Sequence, residues 1–158
     1  MRVNATRVDC ESNVLQNAYD SPPSCTSVAT GYLCEAGPCA IVVGDFHTCY
    51  YSADTSGVHC FGEGGQGQLG YQSTAIVGRD PSTMPPPQVD VGEAVLRISA
   101  GGDHTCVITV LNTVRCWGRG FEGQLGYENQ ENVGHADNTM PPADVNLGGT
   151  VRQVGHLN

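Results

Sequence analysis

The chain has no lysine, few aromatic residues and no long apolar segment. Its seven basic residues are all arginine, against sixteen aspartates and glutamates, so the formal net charge is −9. Scattered arginines on an acidic chain exclude the basic surface that nucleic-acid binding requires. The sequence also lacks any run of about 18 apolar residues, which excludes a membrane-spanning helix.

Glycine and proline, in contrast, are abundant. The 158 residues include 21 glycines and 9 prolines, and the apolar runs between them are short. This pattern argues against a helical bundle and predicts many turns between short strands. The length allows one modest domain or part of a larger protein.

Eight cysteines are a heavy load for a reducing compartment. Their even number predicts pairing in an oxidising compartment, and Asn4-Ala5-Thr6 is an N-glycosylation sequon compatible with secretion. The first ten residues contain no apolar segment of the signal-peptide kind. We therefore expect an extracellular or cell-surface protein that is trimmed or lies within a longer chain. A cytosolic protein with eight free thiols is the alternative.

The chain contains a tandem repeat. Four sequence blocks recur in the same order, displaced by 57 residues at the first block and by 56 at the later ones. The matched blocks are 44–49 with 101–106, 58–62 with 114–118, 67–71 with 123–127, and 83–86 with 139–142. Four ordered matches are not coincidental, and each copy is expected to be one structural unit.

Each copy has the pattern of short β-strands. Residues 40–43 form a short apolar run ended by a glycine, as a buried strand does. Residues 48–52 and 57–61 flank a polar turn and predict a hairpin, which residues 105–110 and 113–117 repeat. A polar, proline-rich loop follows in each copy. A four-stranded unit repeated in tandem is typical of a β-propeller blade.

The repeated blocks resemble the regulator of chromosome condensation repeat, in the secreted, cysteine-bearing form found in tandem arrays. The motifs that carry the resemblance are Gly-x-x-His-Thr-Cys, Val-x-Cys-Trp-Gly and Gly-Gln-Leu-Gly-Tyr, within about residues 40 to 158. The resemblance implies an all-β fold of propeller blades, which in the family form a seven-bladed propeller.

Two repeats make an incomplete propeller. We predict a cysteine-rich N-terminal segment or degenerate blade over residues 1–39, a first blade over 40–98, and a second blade with the start of a third over 99–158. Two blades leave sheet edges uncovered, and stacked repeats need about three neighbours for a sufficient core. Further repeats of a longer chain, or other protein chains, are therefore the expected partners.

Four of the cysteines lie on the arms of the two predicted hairpins. Cys49 and Cys60, and likewise Cys106 and Cys116, can face each other across antiparallel strands within disulfide reach. The other four lie in the N-terminal segment and are expected to form two further disulfides in one of three connectivities: Cys10, Cys25, Cys34 and Cys39.

A zinc site is the alternative reading of these cysteines, because His47, His59 and His104 lie close to them in sequence. Arg115 replaces His59 in the second copy, so the ligand set is not repeated. Calcium binding is left open at the acidic residues beside the proline-rich loops, although no EF-hand spacing is present: Asp80, Asp90, Asp137 and Asp144. We predict no metal and no cofactor.

His47 and His104 each lie near an aspartate and are the most attractive candidates for a general base. The resemblance implies instead a structural histidine that binds the backbone between strands. Catalysis also needs a nucleophile and an oxyanion donor, which the motifs do not supply. We expect no catalytic residue, and a protein that is not an enzyme.

The Gly-Gln-Leu-Gly segments are predicted to be tight turns whose leucines fill the core between blades. They lack the lysine and the serine or threonine of a phosphate-binding loop. Trp117, with Phe61 at the equivalent place, is expected in the same core. The turn residues are Gly67, Gln68, Leu69 and Gly70, with counterparts Gly123, Gln124, Leu125 and Gly126.

These observations favour a secreted or cell-surface scaffold for protein interactions, within a larger chain, assembly or filament. One alternative is a secreted inhibitor or binding module that uses a propeller face. The resemblance also implies a second alternative, a guanine nucleotide exchange regulator of a small GTPase, which the paired cysteines and the missing basic surface oppose. The expected partners are proteins, and an N-linked glycan on Asn4, rather than nucleic acid.

Overall fold

Seven short strands form two antiparallel sheets in the computed structural model, which describes residues 38–52 and 57–151. The strands are β1 (Pro38–Val43), β2 (His47–Ser52), β3 (Gly57–Gly62), β4 (Gln88–Val89), β5 (Val95–Ala100), β6 (His104–Thr109) and β7 (Val114–Gly118). One 3₁₀ helix, Pro81–Thr83, lies in the first proline-rich loop. In these ranges no helix has the length and hydropathy needed to cross a membrane.

Sheet 1 has the strand order β1-β2-β3-β4, and sheet 2 has the order β5-β6-β7. The predicted hairpins are present as β2 with β3 and β6 with β7. Where sheet 1 has β4, sheet 2 has a backbone hydrogen bond of 2.8 Å from the Val145 amide to the Val114 carbonyl. The two sheets are thus copies of one unit, which confirms the predicted all-β, blade-like fold.

The segment between the two repeats is divided between the sheets. β4 pairs with β3, whereas β5 pairs with β6 and packs against β1 and β2. The sheet boundary therefore falls between Val89 and Val95. Residues 95–98, which the sequence repeat placed at the end of the first copy, belong to the first strand of the second sheet.

The turn between β6 and β7 illustrates how the sequence closes a hairpin. Asn112 has a φ of +60°, a left-handed conformation that asparagine adopts more readily than most residues. Its amide donates to the Thr109 carbonyl over 2.9 Å, and the Thr109 amide donates to the Thr113 carbonyl over 3.0 Å. The turn thereby sets the register in which Cys106 faces Cys116.

The core lies mainly between the two sheets. Successive side chains of a strand point to opposite faces, so each sheet contributes alternate apolar residues to this layer. The fully or nearly buried members include Val58, Leu69, Val89, Val95, Ile98, Val107, Trp117 and Met140. The predicted glycosylation of Asn4 and the disulfides of Cys10, Cys25 and Cys34 lie outside the described residues, as does the side chain of Cys39.

Candidate functional site

A buried chain of hydrogen bonds joins the two sheets. The Nε2 atom of His47 lies 2.9 Å from Oγ1 of Thr105. The Thr105 hydroxyl donates to the backbone carbonyl of Gln68 over 3.1 Å, and the indole N–H of Trp117 donates to that carbonyl over 3.0 Å. Because Thr105 gives its single hydrogen to Gln68, its oxygen accepts the Nε2–H of His47. These four residues are named the blade junction.

The blade junction excludes water almost completely. His47 is 2% exposed and Gln68 1%, while Thr105 and Trp117 are fully buried. A buried polar group left without a partner costs about 1–3 kcal/mol, so this set of bonds fixes how the sheets pack. The predicted structural residues His47, Gln68 and Trp117 thus lie together. Sequence reasoning missed Thr105, although it belongs to the recurring His-Thr-Cys motif.

The loop after β3 approaches the loop after β7 at backbone distance. A Cβ atom on Gly67 would lie 2.6 Å from the His135 amide nitrogen and 2.6 Å from the Val133 carbonyl oxygen. The φ of Gly67 is +85°, which glycine adopts without a steric penalty. The side-chain oxygen of Gln68 accepts from the Gln66 amide over 2.9 Å, and Leu69 is buried. The segment therefore forms a tight turn packed into the core.

Burial also governs the charge of the two recurring histidines. Desolvation lowers the pKa of His47 from its ordinary value, and the nearby carboxylate of Asp103 only partly opposes this. Desolvation likewise lowers the pKa of His104, again against Asp103. His47 is therefore neutral at physiological pH, as a donor of one Nε2–H to Thr105 should be.

Two tyrosines hold the disulfide-bearing strands and were not singled out from the sequence. The Tyr71 hydroxyl accepts from the Cys60 amide over 2.9 Å and lies 2.8 Å from the Pro87 carbonyl. Tyr127 does the same with the Cys116 amide over 2.9 Å. Desolvation raises the pKa of Tyr71 to about 12 and raises that of Tyr127. The available signal was their place at the end of the recurring Gly-Gln-Leu-Gly-Tyr block.

Both predicted hairpin disulfides are formed. Cys49 is bonded to Cys60 and Cys106 to Cys116, with Cα atoms 4.1 Å apart in each pair. The four sulfurs are bonded in these two pairs, so they are not free to act as zinc ligands. Among residues 38–52 and 57–151, no three or more His, Cys, Asp or Glu side chains are grouped to hold a metal ion.

Equivalent positions of β3 and β7 carry different residues, His59 in sheet 1 and Arg115 in sheet 2. In sheet 1, Nδ1 of His59 lies 3.0 Å from the Pro86 carbonyl. In sheet 2, Arg115 donates to Asp144 and to the Val91 carbonyl, both over 2.6 Å. The hydrogen bond from Arg115 holds the pKa of Asp144 below its ordinary value. Arg115 thus links sheet 2 to the segment between the sheets.

Three of the four acidic residues considered for calcium make local contacts with the protein. Asp80 accepts from the Ser82 amide over 2.8 Å and caps the 3₁₀ helix. Asp90 accepts from the Gly92 amide over 3.0 Å, and Asp144 pairs with Arg115. These carboxylates serve as caps, turn acceptors and an ion-pair partner.

Among residues 38–52 and 57–151, the strands of the neighbouring sheet cover only one face of each sheet. The leading face of sheet 1 consists of Ile41, Val43, Thr48 and Phe61, the counterparts of Ile98, Ala100, Thr105 and Trp117 in sheet 2. The trailing face of sheet 2 consists of His104, Gly123, Gln124 and Gly126, the counterparts of His47, Gly67, Gln68 and Gly70 in sheet 1. The counterparts in both sets form the contact between sheet 1 and sheet 2. The leading face of sheet 1 and the trailing face of sheet 2 are therefore the candidate interaction surfaces.

Models of the Regulator of chromosome condensation (RCC1) repeat match residues 56–108 and 95–124. The human protein described as "Probable E3 ubiquitin-protein ligase HERC4" is 32% identical over 103 residues, which are 63% of this chain and 9% of HERC4. The chain thus spans less than a tenth of that relative.

Two solved structures also match part of this chain. Human WBSCR16 matches with a TM-score of 0.47 and 22% identity, covering 58% of this chain and 23% of WBSCR16. Yeast RCC1 (Prp20), solved with Kap60, matches with a TM-score of 0.46 and 20% identity, covering 68% of this chain and 25% of Prp20. The chain corresponds to about a quarter of each.

Proposed function

Because the chain belongs to the regulator of chromosome condensation repeat family, we propose that it is a non-enzymatic scaffold for protein interactions, built from propeller blades. We further propose that it works in an oxidising compartment, either secreted or at the cell surface. The partners of such a scaffold would be further repeats or other protein chains.

The observation that carries the proposal is the contrast between the blade junction and the open faces. The recurring side chains most suited to catalysis, His47 and Thr105, are hydrogen-bonded to each other and buried. The apolar side chains of Ile41 and Val43 are 63% and 64% exposed. Contiguous exposed apolar side chains are typical of protein-binding surfaces.

Proximity labelling in cells that make the protein tests the interaction role. A variant with Ile41→Asp and Val43→Asp should lose labelled partner proteins, because both changes place charge on the leading face. Leu111→Asp is the matched control, since Leu111 is 59% exposed in the turn between β6 and β7. The same set of labelled proteins in both variants would contradict the proposal.

The oxidising compartment is supported by the two hairpin disulfides. Protein isolated from its natural source, denatured without reduction and titrated for thiols, should show none or almost none of the eight cysteines free. Eight free thiols would contradict a secreted or cell-surface location.

Nucleotide exchange is the second candidate, because the family resemblance implies it. The net charge of −9 does not favour a chromatin-associated role. The intact chain should therefore leave the rate of nucleotide release from a panel of small GTPases unchanged. Acceleration of that release would overturn the scaffold proposal.

A further inference from the structure

We propose that one end of the two sheets binds a partner protein through a segment of that partner which combines arginine or lysine with apolar side chains. The inference rests on the proposed interaction role and adds to it a surface and a partner chemistry. The surface lies on the loops that follow β1, β3, β5 and β7 and is named the loop surface. Its members are Asp45, Phe46, Glu63, Asp103, Arg119 and Phe121.

Backbone hydrogen bonds join these four loops. The Asp45 amide donates to the Gly102 carbonyl over 2.9 Å, which links the loop after β1 to the loop after β5. The Glu63 amide donates to the Phe46 carbonyl over 2.9 Å, and an equivalent bond of 2.9 Å joins the loops after β5 and β7. The loops of both sheets therefore lie side by side at one end of the strands.

The loop surface lies at the opposite end from the points at which the described residues stop. Pro38 and Gly57 both pair with Ser52, so the start of β1, the end of β2 and the start of β3 lie together. The Val151 amide donates to the Asn112 carbonyl in the turn between β6 and β7, which is the equivalent end of sheet 2. The exposure of the loop surface is therefore a property of loops that the structure describes over their whole length.

Two phenylalanines of the loop surface project into solvent. Phe46 is 71% exposed and Phe121 is 55% exposed. The blade fold requires neither, because the equivalent positions of the other copy hold Asp103 and Gly65. A Cβ atom on Gly65 would meet nothing within 4 Å although sheet 2 lies beside it, so this loop position stays open next to a neighbouring sheet. Large apolar side chains that the fold does not use are typical of a binding surface.

The charges of the loop surface favour a basic partner. Arg119 is its single basic residue and is already paired, with Nη1 3.8 Å from an Asp103 carboxylate oxygen and Nη2 on Glu122. Asp45 and Glu63 are exposed, and neither carboxylate has an ion-pair partner among the described residues. Carboxylates placed beside exposed aromatic rings attract a positively charged segment and repel an acidic one.

Arginine is the side chain that suits both parts of this surface. The guanidinium of Arg119 lies 5.8 Å from the centroid of the Phe121 ring, so the loop surface itself contains one such contact. The ring remains 55% exposed in this contact, which leaves apolar area for the side chains of a partner. A partner arginine can pack on a phenylalanine ring and donate to a carboxylate at the same time.

Fluorescence polarisation with the full chain tests the inference. The probes are three short labelled peptides of equal leucine content, in which the remaining positions are arginine, serine or glutamate. The arginine peptide should bind about tenfold more tightly than the serine peptide, and the glutamate peptide should not bind. Binding of the arginine peptide should weaken as NaCl is raised, because salt screens exposed charges.

Three variants test the place of binding and leave the fold intact. Phe121→Gly and Glu63→Arg introduce the residue that the other copy holds at the equivalent position, and Phe46→Asn introduces an uncharged analogue of it. Each should bind the arginine peptide about fivefold or more weakly. Leu111→Asp, in the turn at the opposite end, should bind it as the wild type does. Unchanged circular dichroism and Trp117 emission establish that each variant is folded.

Equal affinity for the arginine and serine peptides would overturn the inference, as would no binding of either. Binding of the arginine peptide that all three variants retain would also overturn it. Self-association that Phe121→Gly abolishes would assign the loop surface to a second copy of the chain instead. In the proximity-labelling experiment, partner proteins lost from Ile41→Asp with Val43→Asp but retained by Phe121→Gly would overturn this inference alone and leave the proposed interaction role standing.

Discussion

Ile41 and Ile98 occupy the same position in two copies of one unit, yet their exposed fractions are 63% and 8%. The difference does not come from the residue, which is isoleucine in both, but from the sheet that covers only the second. Val43 and Ala100 show the same contrast, at 64% and 5%. In a repeat of this kind, the neighbouring unit decides which side chains form the core.

The largest expected difference between the two sheets is at the aromatic position. Trp117→Ala should lower the free energy of unfolding by about 3–5 kcal/mol, because it empties a fully buried site. Phe61→Ala should lower it by less than about 1 kcal/mol, because Phe61 lies on an open face. Urea denaturation of both variants measures the difference. Equal losses would show that the leading face of sheet 1 is covered within the chain.

Removing the hydroxyl of Tyr71 or of Tyr127 should lower the free energy of unfolding by similar amounts. Tyr71→Phe and Tyr127→Phe each remove the hydroxyl that accepts from a cysteine amide. Each should cost about 1–3 kcal/mol, the penalty for leaving a buried donor unpaired. Urea denaturation at neutral pH is the measurement. A large loss in only one variant would contradict the equivalence of the two units outside the blade junction.

The smallest expected effect is a pH dependence that differs between the histidines. Because the folded-state pKa of His47 is lowered, its contribution to stability is complete above its unfolded pKa of about 6.5. That contribution is lost as pH falls through 6.5 towards the folded-state pKa. The drop in stability between pH 8 and pH 5, measured by urea denaturation, should therefore shrink in His47→Gln. It should shrink less in His104→Gln, at the more exposed trailing face. The opposite order would contradict the assignment.

The strands, hairpins and facing cysteines could be predicted from the sequence, because each depends on residues close in the chain. The recurring His-Thr-Cys and Val-x-Cys motifs fix the register of each hairpin, and both disulfides follow from that register. The repeated sequence blocks did not show at which residue each sheet begins. β5 belongs to sheet 2 because it pairs with β6, and strand pairing across a loop leaves no local pattern.

The candidate site was only partly predictable for the same reason. His47, Gln68 and Trp117 were expected to be structural, but the bonds that join them run through Thr105 and a backbone carbonyl. Thr48 lies in the same motif as Thr105 and is only half-buried. Because the His-Thr-Cys motif is identical in both copies, the sequence does not show which of the two threonines is buried by the neighbouring sheet.

Trp117 is the only tryptophan in the chain, so its fluorescence reports on the blade junction alone. The decisive measurement is acrylamide quenching of that fluorescence in the folded protein, with circular dichroism recorded on the same sample. A fully buried indole bonded to the Gln68 carbonyl should show blue-shifted emission and almost no quenching until the sheets unfold. Red-shifted, readily quenched emission from a protein whose sheets are intact would show that the two blades do not pack through this junction.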